Sequence, residues 1–317
     1  MRRRSLLALA PLCLPAGILP ARSQAGRMPV VASFSILGDM LRQIGGDRLE
    51  VRVIAGPDAD PHGFQPRPSD ITALTGARLV VRNGLGFDPW FDRLVRASGY
   101  GGPVATATTG ITPRTMVHSH AGHGHDGAGR RTSHRAEPAR VADPHCWQDL
   151  RHGQAYVRTL AEALAGADPA GAALYQRNAQ AYAGRLAGLD GWVRAQIGTV
   201  PEARRKVVTS HDALGYFGAA YGVTFLAPQG VSTEGEPSAQ EVARLIRQIR
   251  AEGITAVFVE TIANPATLRR LAEEAGVAIR GRLYTDSLSP PNGPAPSYEA
   301  MFRHNVGLMV PAMRGAA

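Results

Sequence analysis

The chain has 317 residues, 44% of them hydrophobic and 19% charged, with a formal charge of +9. That length suits two domains with sizeable cores, and the apolar fraction excludes a disordered chain. Lys206 is the only lysine among 35 cations, and no basic run is interleaved with aromatics, which argues against a nucleic-acid-binding protein.

Residues 1–25 read as a secretory signal. Arg2-Arg3-Arg4 forms a positive start, Leu6 to Leu19 an apolar stretch broken by Pro11 and Pro15, and Ser23-Gln24-Ala25 a small-x-small cleavage site. The stretch is short for a bilayer span and no later run approaches ~18–20 apolar residues, so the mature chain is expected in the periplasm and not spanning the membrane. Cys13 falls inside the signal, which leaves Cys146 without an internal disulfide partner.

Residues 26–168 are expected to form a first α/β lobe. Met28–Ala32, Leu49–Ile54 and Arg78–Arg82 read as strands, with helices at Ile36–Ile44, at Ile71–Leu74 and from Asp88-Pro89 onward. Within this lobe, residues of about 108–141 show no periodicity and carry His118, His120, His123 and His125, a segment suited to weak auxiliary metal capture. Residues 169–198 read as a linking helix. Tyr175, Tyr182, Leu186, Leu189, Val193 and Ile197 make one apolar stripe, while Gly184 and Gly188 leave room for two shorter helices instead. Residues 199–317 form the second α/β lobe, with strands at Lys206–Thr209, Thr224–Leu226, Ile254–Val259 and Ala278–Tyr284. Ser238-x-x-Glu241 is a capping box for a helix reaching Glu252, and Asn264-Pro265 opens another that ends near Gly276. The fold class is therefore α/β, two mainly parallel sheets flanked by helices and joined by one long rigid helix.

The chemistry gathers at four points. Asp60-Pro61-His62 and Asp143-Pro144-His145 repeat one tripeptide, Ser210-His211 ends a strand, and Asp286 follows another. His62, His211 and Asp286 lie just past strand carboxyl ends, where ligand sites of open α/β sheets form. Face to face across a cleft, these residues offer three imidazoles and a carboxylate, a set that suits Zn²⁺. Taken singly, each has an ordinary explanation: a hydrogen-bonded histidine, or an aspartate capping a turn.

Taken together, the blocks resemble a known family. Asp60-Pro61-His62-Gly63-Phe64-Gln65-Pro66-Arg67-Pro68-Ser69-Asp70, Asp143-Pro144-His145-Cys146-Trp147-Gln148-Asp149 and Ser210-His211-Asp212-Ala213-Leu214-Gly215-Tyr216-Phe217 are similar to the metal motifs of zinc/manganese solute-binding proteins of bacterial ABC transporters. Glu234-Gly235-Glu236-Pro237-Ser238 and Leu283-Tyr284-Thr285-Asp286-Ser287-Leu288-Ser289 complete the pattern. The resemblance implies a two-lobed receptor, with His62, His145, His211 and Asp286 as metal ligands and a membrane permease as partner. It also implies zinc, since a histidine at the third position goes with zinc members and a glutamate with manganese or iron members. The histidine-rich segment is similar to a loop of zinc members, although shorter, and the cysteine pair of some zinc members is missing from the second lobe.

Charge counting agrees: three neutral imidazoles and one carboxylate leave a bound dication at net +1, which favours a borderline-soft ion over Mn²⁺. Behind the ligands, Asp60 and Glu260 are candidates to orient them. Asp212 is expected to point elsewhere, Trp147 and Tyr216 to pack around the cleft, Cys146 to act as a small buried hydrophobe, and His152 and His304 to lie in ordinary helices. The expected protein is a monomeric zinc receptor delivering its cargo to a permease, not an enzyme. The alternatives are a manganese or iron receptor, a zinc buffer without a transporter, and a zinc hydrolase. The hydrolase needs three protein ligands with an open water position, and no His-Glu-x-x-His pattern is present.

Overall fold

The computed structural model describes residues 26–117, 140–230, 232–233 and 237–315; the proposed signal segment and His118, His120, His123 and His125 lie outside them. The first sheet is parallel, in the order β2 (Leu49–Ala55), β1 (Met28–Phe34), β3 (Leu79–Arg82), β4 (Val104–Thr106). Its helices are α1 (Ser35–Gly45), α2 (Pro68–Thr75) and α3 (Pro89–Ala97). Helix α2 begins before the predicted Ile71, because Pro68 supplies a preset φ at the first turn and Asp70 Oδ2 accepts the Arg67 amide at 2.8 Å.

The histidine-rich segment is not patternless at its ends. Thr115–Val117 (β5) and Arg140–Ala142 (β6) pair as an antiparallel ribbon, in the register Met116 to Val141. Helix α4 (Leu150–Ala167) follows, started by Asp149, whose side chain accepts the Arg151 amide at 2.8 Å. Neither α4 nor β4 is among the predicted elements.

The stripe on the linking segment becomes one helix, α5 (Ala172–Gly198), after a 3-10 turn at Pro169–Gly171. Its 27 residues span about 40 Å and run unbroken through Gly184 and Gly188. Tyr175, Tyr182, Leu186, Leu189, Val193 and Ile197 are all buried, and Ala179 fills the gap in the stripe. This face packs on α1 and α4 from the first lobe and on α6 (Gly215–Tyr221) and α9 (Tyr298–Arg314) from the second.

The second sheet is also parallel, in the order β10 (Ile279–Leu283), β9 (Val257–Glu260), β7 (Lys206–Val208), β8 (Thr224–Leu226). Helices α7 (Ala239–Glu252) and α8 (Pro265–Ala275) bury Leu245, Ile246, Ile249, Leu268 and Leu271 against Val208, Val257 and Val259. The capping box of α7 is formed, with Ser238 Oγ accepting the Glu241 amide at 3.2 Å. A larger core runs continuously from β1 through α5 to α9, so the two sheets share one hydrophobic mass. Gly153 lets α4 approach α9: a Cβ there would lie 2.5 Å from the Tyr298 hydroxyl.

A candidate metal centre between the sheets

Both Asp-Pro-His tripeptides fold as the same local turn. The first aspartate of each accepts the amide of its histidine two residues on, at 2.9 Å for Asp60 and His62 and 3.0 Å for Asp143 and His145. His62 follows β2 and His145 follows β6; His211 follows β7 and Asp286 follows β10. The strand carboxyl ends of the two parallel sheets thus present His62, His211 and Asp286 to one another, as open α/β sheets do, while His145 comes from the end of the β5–β6 ribbon.

The four meet. His62, His145, His211 and Asp286 each offer a donor atom within 4.8 Å of the others. Asp286 Oδ2 lies 3.0 Å from His62 Nε2, 2.9 Å from His211 Nε2 and 3.6 Å from His145 Nε2, and the two nitrogens of His62 and His145 are 3.4 Å apart. Four donors about 2.0–2.1 Å from one tetrahedral ion stand about 3.3 Å from each other, so these spacings match the edges of such a tetrahedron. The imidazole centroids form a nearly equilateral triangle of 5.4, 5.6 and 5.6 Å. His145, His211 and Asp286 are fully buried, and His62 is 8% exposed. Asp286 Oδ1 is buried without a hydrogen-bond partner among the described residues, and an orphaned carboxylate oxygen there fits a cation.

Two buried carboxylates stand behind the imidazoles. Asp143 Oδ1 lies 2.9 Å from His145 Nδ1, and Glu260 Oε2 lies 2.6 Å from His211 Nδ1 in a close charge contact without hydrogen-bond alignment. Each turns the Nε2 of its imidazole toward the centre and makes it a better donor. Glu260, at the end of β9, also binds the loop that carries His211. Its Oε1 accepts the Ser210 and His211 amides at 2.8 and 3.0 Å, and its Oε2 accepts the Thr285 hydroxyl at 2.8 Å. With Asp143 and Glu260 counted, a bound dication sits in a region of net −1 rather than +1, which corrects the charge argument above. Metal preference then rests on donor type, not on net charge.

Asp60 does not reach the centre; its Oδ2 accepts the Thr233 hydroxyl from the second lobe at 2.6 Å. Asp212 stays outside the cluster, and burial raises its carboxyl pKa. Trp147 packs against Phe34, Phe87 and His145, and its Nε1 donates to the Thr285 carbonyl at 2.9 Å, where Gln148 Nε2 also donates at 2.7 Å. The backbone beside Asp286 is therefore held from the first lobe. Tyr216, expected only to pack, also donates to the Asp143 carbonyl at 3.0 Å. Cys146 is buried, and burial pushes its thiol up to about 11. His152 and His304 sit in α4 and α9, away from the centre. Asp143 was missed as an orienting group; its signal was the repeated tripeptide itself.

Protonation shows how the cage is balanced without metal. Burial opposes protonation of His145, but the charge of Asp286 and the bond to Asp143 outweigh it and raise the imidazole to about 9. His211 is likewise raised well above its usual value, burial being outweighed by Glu260 and then Asp286. Asp286 is held well below the carboxylate range despite its burial, by His145 and His211. His62 goes the other way: burial lowers it, only partly offset by Asp286.

Two parallel-sheet lobes bridged by one long helix, with a buried imidazole–carboxylate cluster between their strand ends, define a periplasmic metal-binding receptor of metal ABC transporters. Residues 30–312 match the ZnuA family, the zinc-uptake complex component A, periplasmic, and the chain belongs to that family. The chain is 33% identical over 283 residues to the manganese-binding lipoprotein MntA of Halalkalibacterium halodurans, covering 89% of this chain and 87% of that one. It is also 33% identical over 285 residues to the iron-binding protein YfeA of Yersinia pestis, covering 89% and 85%. Among solved structures, the periplasmic zinc-binding protein TroA of Treponema pallidum superposes with a TM-score of 0.79 at 26% identity, over 91% of this chain and 99% of that one. A manganese-bound periplasmic metal-binding protein from Candidatus Liberibacter asiaticus gives 0.75 at 26% identity, over 90% and 100%. The protein binds a divalent metal, and the family consists of receptors that serve a permease. No helix among the described residues is long and apolar enough to cross a membrane.

Proposed function

We propose that this protein is a zinc receptor, exported through its first 25 residues, that holds Zn²⁺ on His62, His145, His211 and Asp286 and delivers it to its permease as a monomer. The observation that carries the reading is the donor set: three imidazole nitrogens and one carboxylate oxygen within 4.8 Å of one another, with four of their six separations at 2.9–3.6 Å, near the edge of a tetrahedral zinc site. Imidazole-rich tetrahedral sites suit zinc, whereas Mn²⁺ gains more from oxygen donors and higher coordination. Four protein donors also close the coordination sphere, which supports a cargo site over a hydrolytic one with an open water position. Asp143 and Glu260 orient the ligands.

A manganese or iron receptor is the second reading, favoured by the names of relatives at 33% identity. Competition titrations of the metal-free protein with zinc and manganese separate the two. The zinc reading expects zinc to win by several orders of magnitude and protein purified from its native compartment to carry zinc; manganese or iron in the purified protein would overturn it.

A further inference from the structure

The two Asp-Pro-His turns are alike in backbone but not in what their carboxylates do next. Asp143 turns inward onto the ring of its own histidine, at 2.9 Å from His145 Nδ1. Asp60 turns outward and takes the hydroxyl of Thr233, which belongs to the other lobe, at 2.6 Å. Among the described residues, His62 is accordingly the one imidazole of the three with no carboxylate behind its second nitrogen. It is also the one ligand candidate with any exposure, at 8% against 0% for His145, His211 and Asp286.

The other three are fixed from behind. His145 and His211 are held at Nδ1 by Asp143 and Glu260, and the chain at Asp286 is held through the Thr285 carbonyl by Trp147 and Gln148. The ring of His62 rests edge-on against Phe87, with centroids 4.8 Å apart, and among the described residues no polar contact of that ring other than those inside the metal cluster opposes its rotation. Two contacts hold the His62 loop against the second lobe: the Asp58 amide donates to the Leu288 carbonyl at 3.0 Å, and, nearest the ligand, the His62 amide is linked through Asp60 to Thr233.

We propose that His62 is the ligand that leaves first when the metal is released, and that the Thr233–Asp60 hydrogen bond is the tether that sets the release rate. Thr233 is then a positioning residue: it touches no metal and acts through Asp60. The proposal rests on the metal-receptor reading above. A hydrogen bond to a carboxylate across two parts that must separate slows separation, and it contributes little to the encounter of the free ion with the open site, so its loss falls on dissociation.

The test uses the mature full-length protein loaded with one equivalent of zinc and mixed rapidly with excess chelator. Thr233→Val and Thr233→Ala are expected to release zinc about tenfold faster than wild type, with association rates within about twofold. Thr233→Ser, which keeps the hydroxyl, is expected to restore slow release. A merely structural role for Thr233 would lower the unfolding temperature without this split between the two rates. Equal dissociation rates in wild type and the Val and Ala variants, or a Ser variant as fast as Val, would overturn the tether. A wild-type protein that holds no zinc at all would instead overturn the receptor reading on which it stands.

Discussion

Replacing Glu260 by Gln keeps the volume of a side chain that is 2% exposed and removes one charge. Its Oε1 accepts two amides, from Ser210 and His211, so the amide oxygen of the new side chain must stay on that side. The NH₂ group then faces the Thr285 hydroxyl and His211 Nδ1, where the carboxylate oxygen lies 2.8 and 2.6 Å away. A donor opposite Nδ1 favours the tautomer with its proton on Nε2, the atom aimed at the metal. Zinc binding must reverse that tautomer and loses the charge that makes the imidazole a better donor. Orienting partners of this kind are worth about 10–100-fold in metal affinity, or about 1.4–2.7 kcal/mol, and the burial of the pair places Glu260→Gln toward the upper end. Competition with a zinc chelator near neutral pH measures it. An affinity within twofold of wild type would refute the idea that Glu260 fixes His211 for the metal.

Three further outcomes follow from the same geometry. In the metal-free protein His145 is raised from 6.5 to about 9, so its contribution to stability is complete below about pH 6.5 and is lost as pH rises through 9; thermal unfolding of the metal-free form should show a falling melting temperature over that window, while zinc affinity, which requires neutral imidazoles, rises over it. Deleting residues 118–134, which spares the Met116–Val141 pairing, should leave the tight site intact and remove extra weak zinc equivalents; calorimetry that instead loses the tight site would make the segment structural. Exchanging a neutral nitrogen for an anionic oxygen in His211→Glu should lower the ratio of zinc to manganese affinity, and paired titrations in which that ratio stays level or rises would remove His211 as its determinant.

Much of this architecture was legible in local patterns. The stripe from Tyr175 to Ile197 announced a helix because one apolar face recurs with helical spacing, and the glycines at 184 and 188 did not break it because that face is buried throughout. The repeated Asp-Pro-His marked two identical turns, because an aspartate two residues before an amide caps it. Helix α4 was legible too, since Leu150, Val157, Leu160 and Leu164 make a stripe of the same kind, whereas the three residues of β4 carry no period. The partners behind the ligands depend on pairings that no local pattern contains. Glu260 reaches His211 only because β9 lies beside β7, and Thr233 meets Asp60 across 173 positions of chain. Asp143 shows the middle case: its residue type and position were visible, but whether its second interaction would go to its own histidine or, as in Asp60, to the other lobe was a matter of tertiary packing.

One ion is expected to sit among His62, His145, His211 and Asp286. Anomalous diffraction at the zinc edge, from crystals of protein loaded with one equivalent of zinc, tests it most directly. A single strong peak is expected about 2.0–2.2 Å from the three Nε2 atoms and an Asp286 carboxylate oxygen. A strong peak elsewhere, or a peak at this position contacted by fewer than three of those side chains, would contradict it.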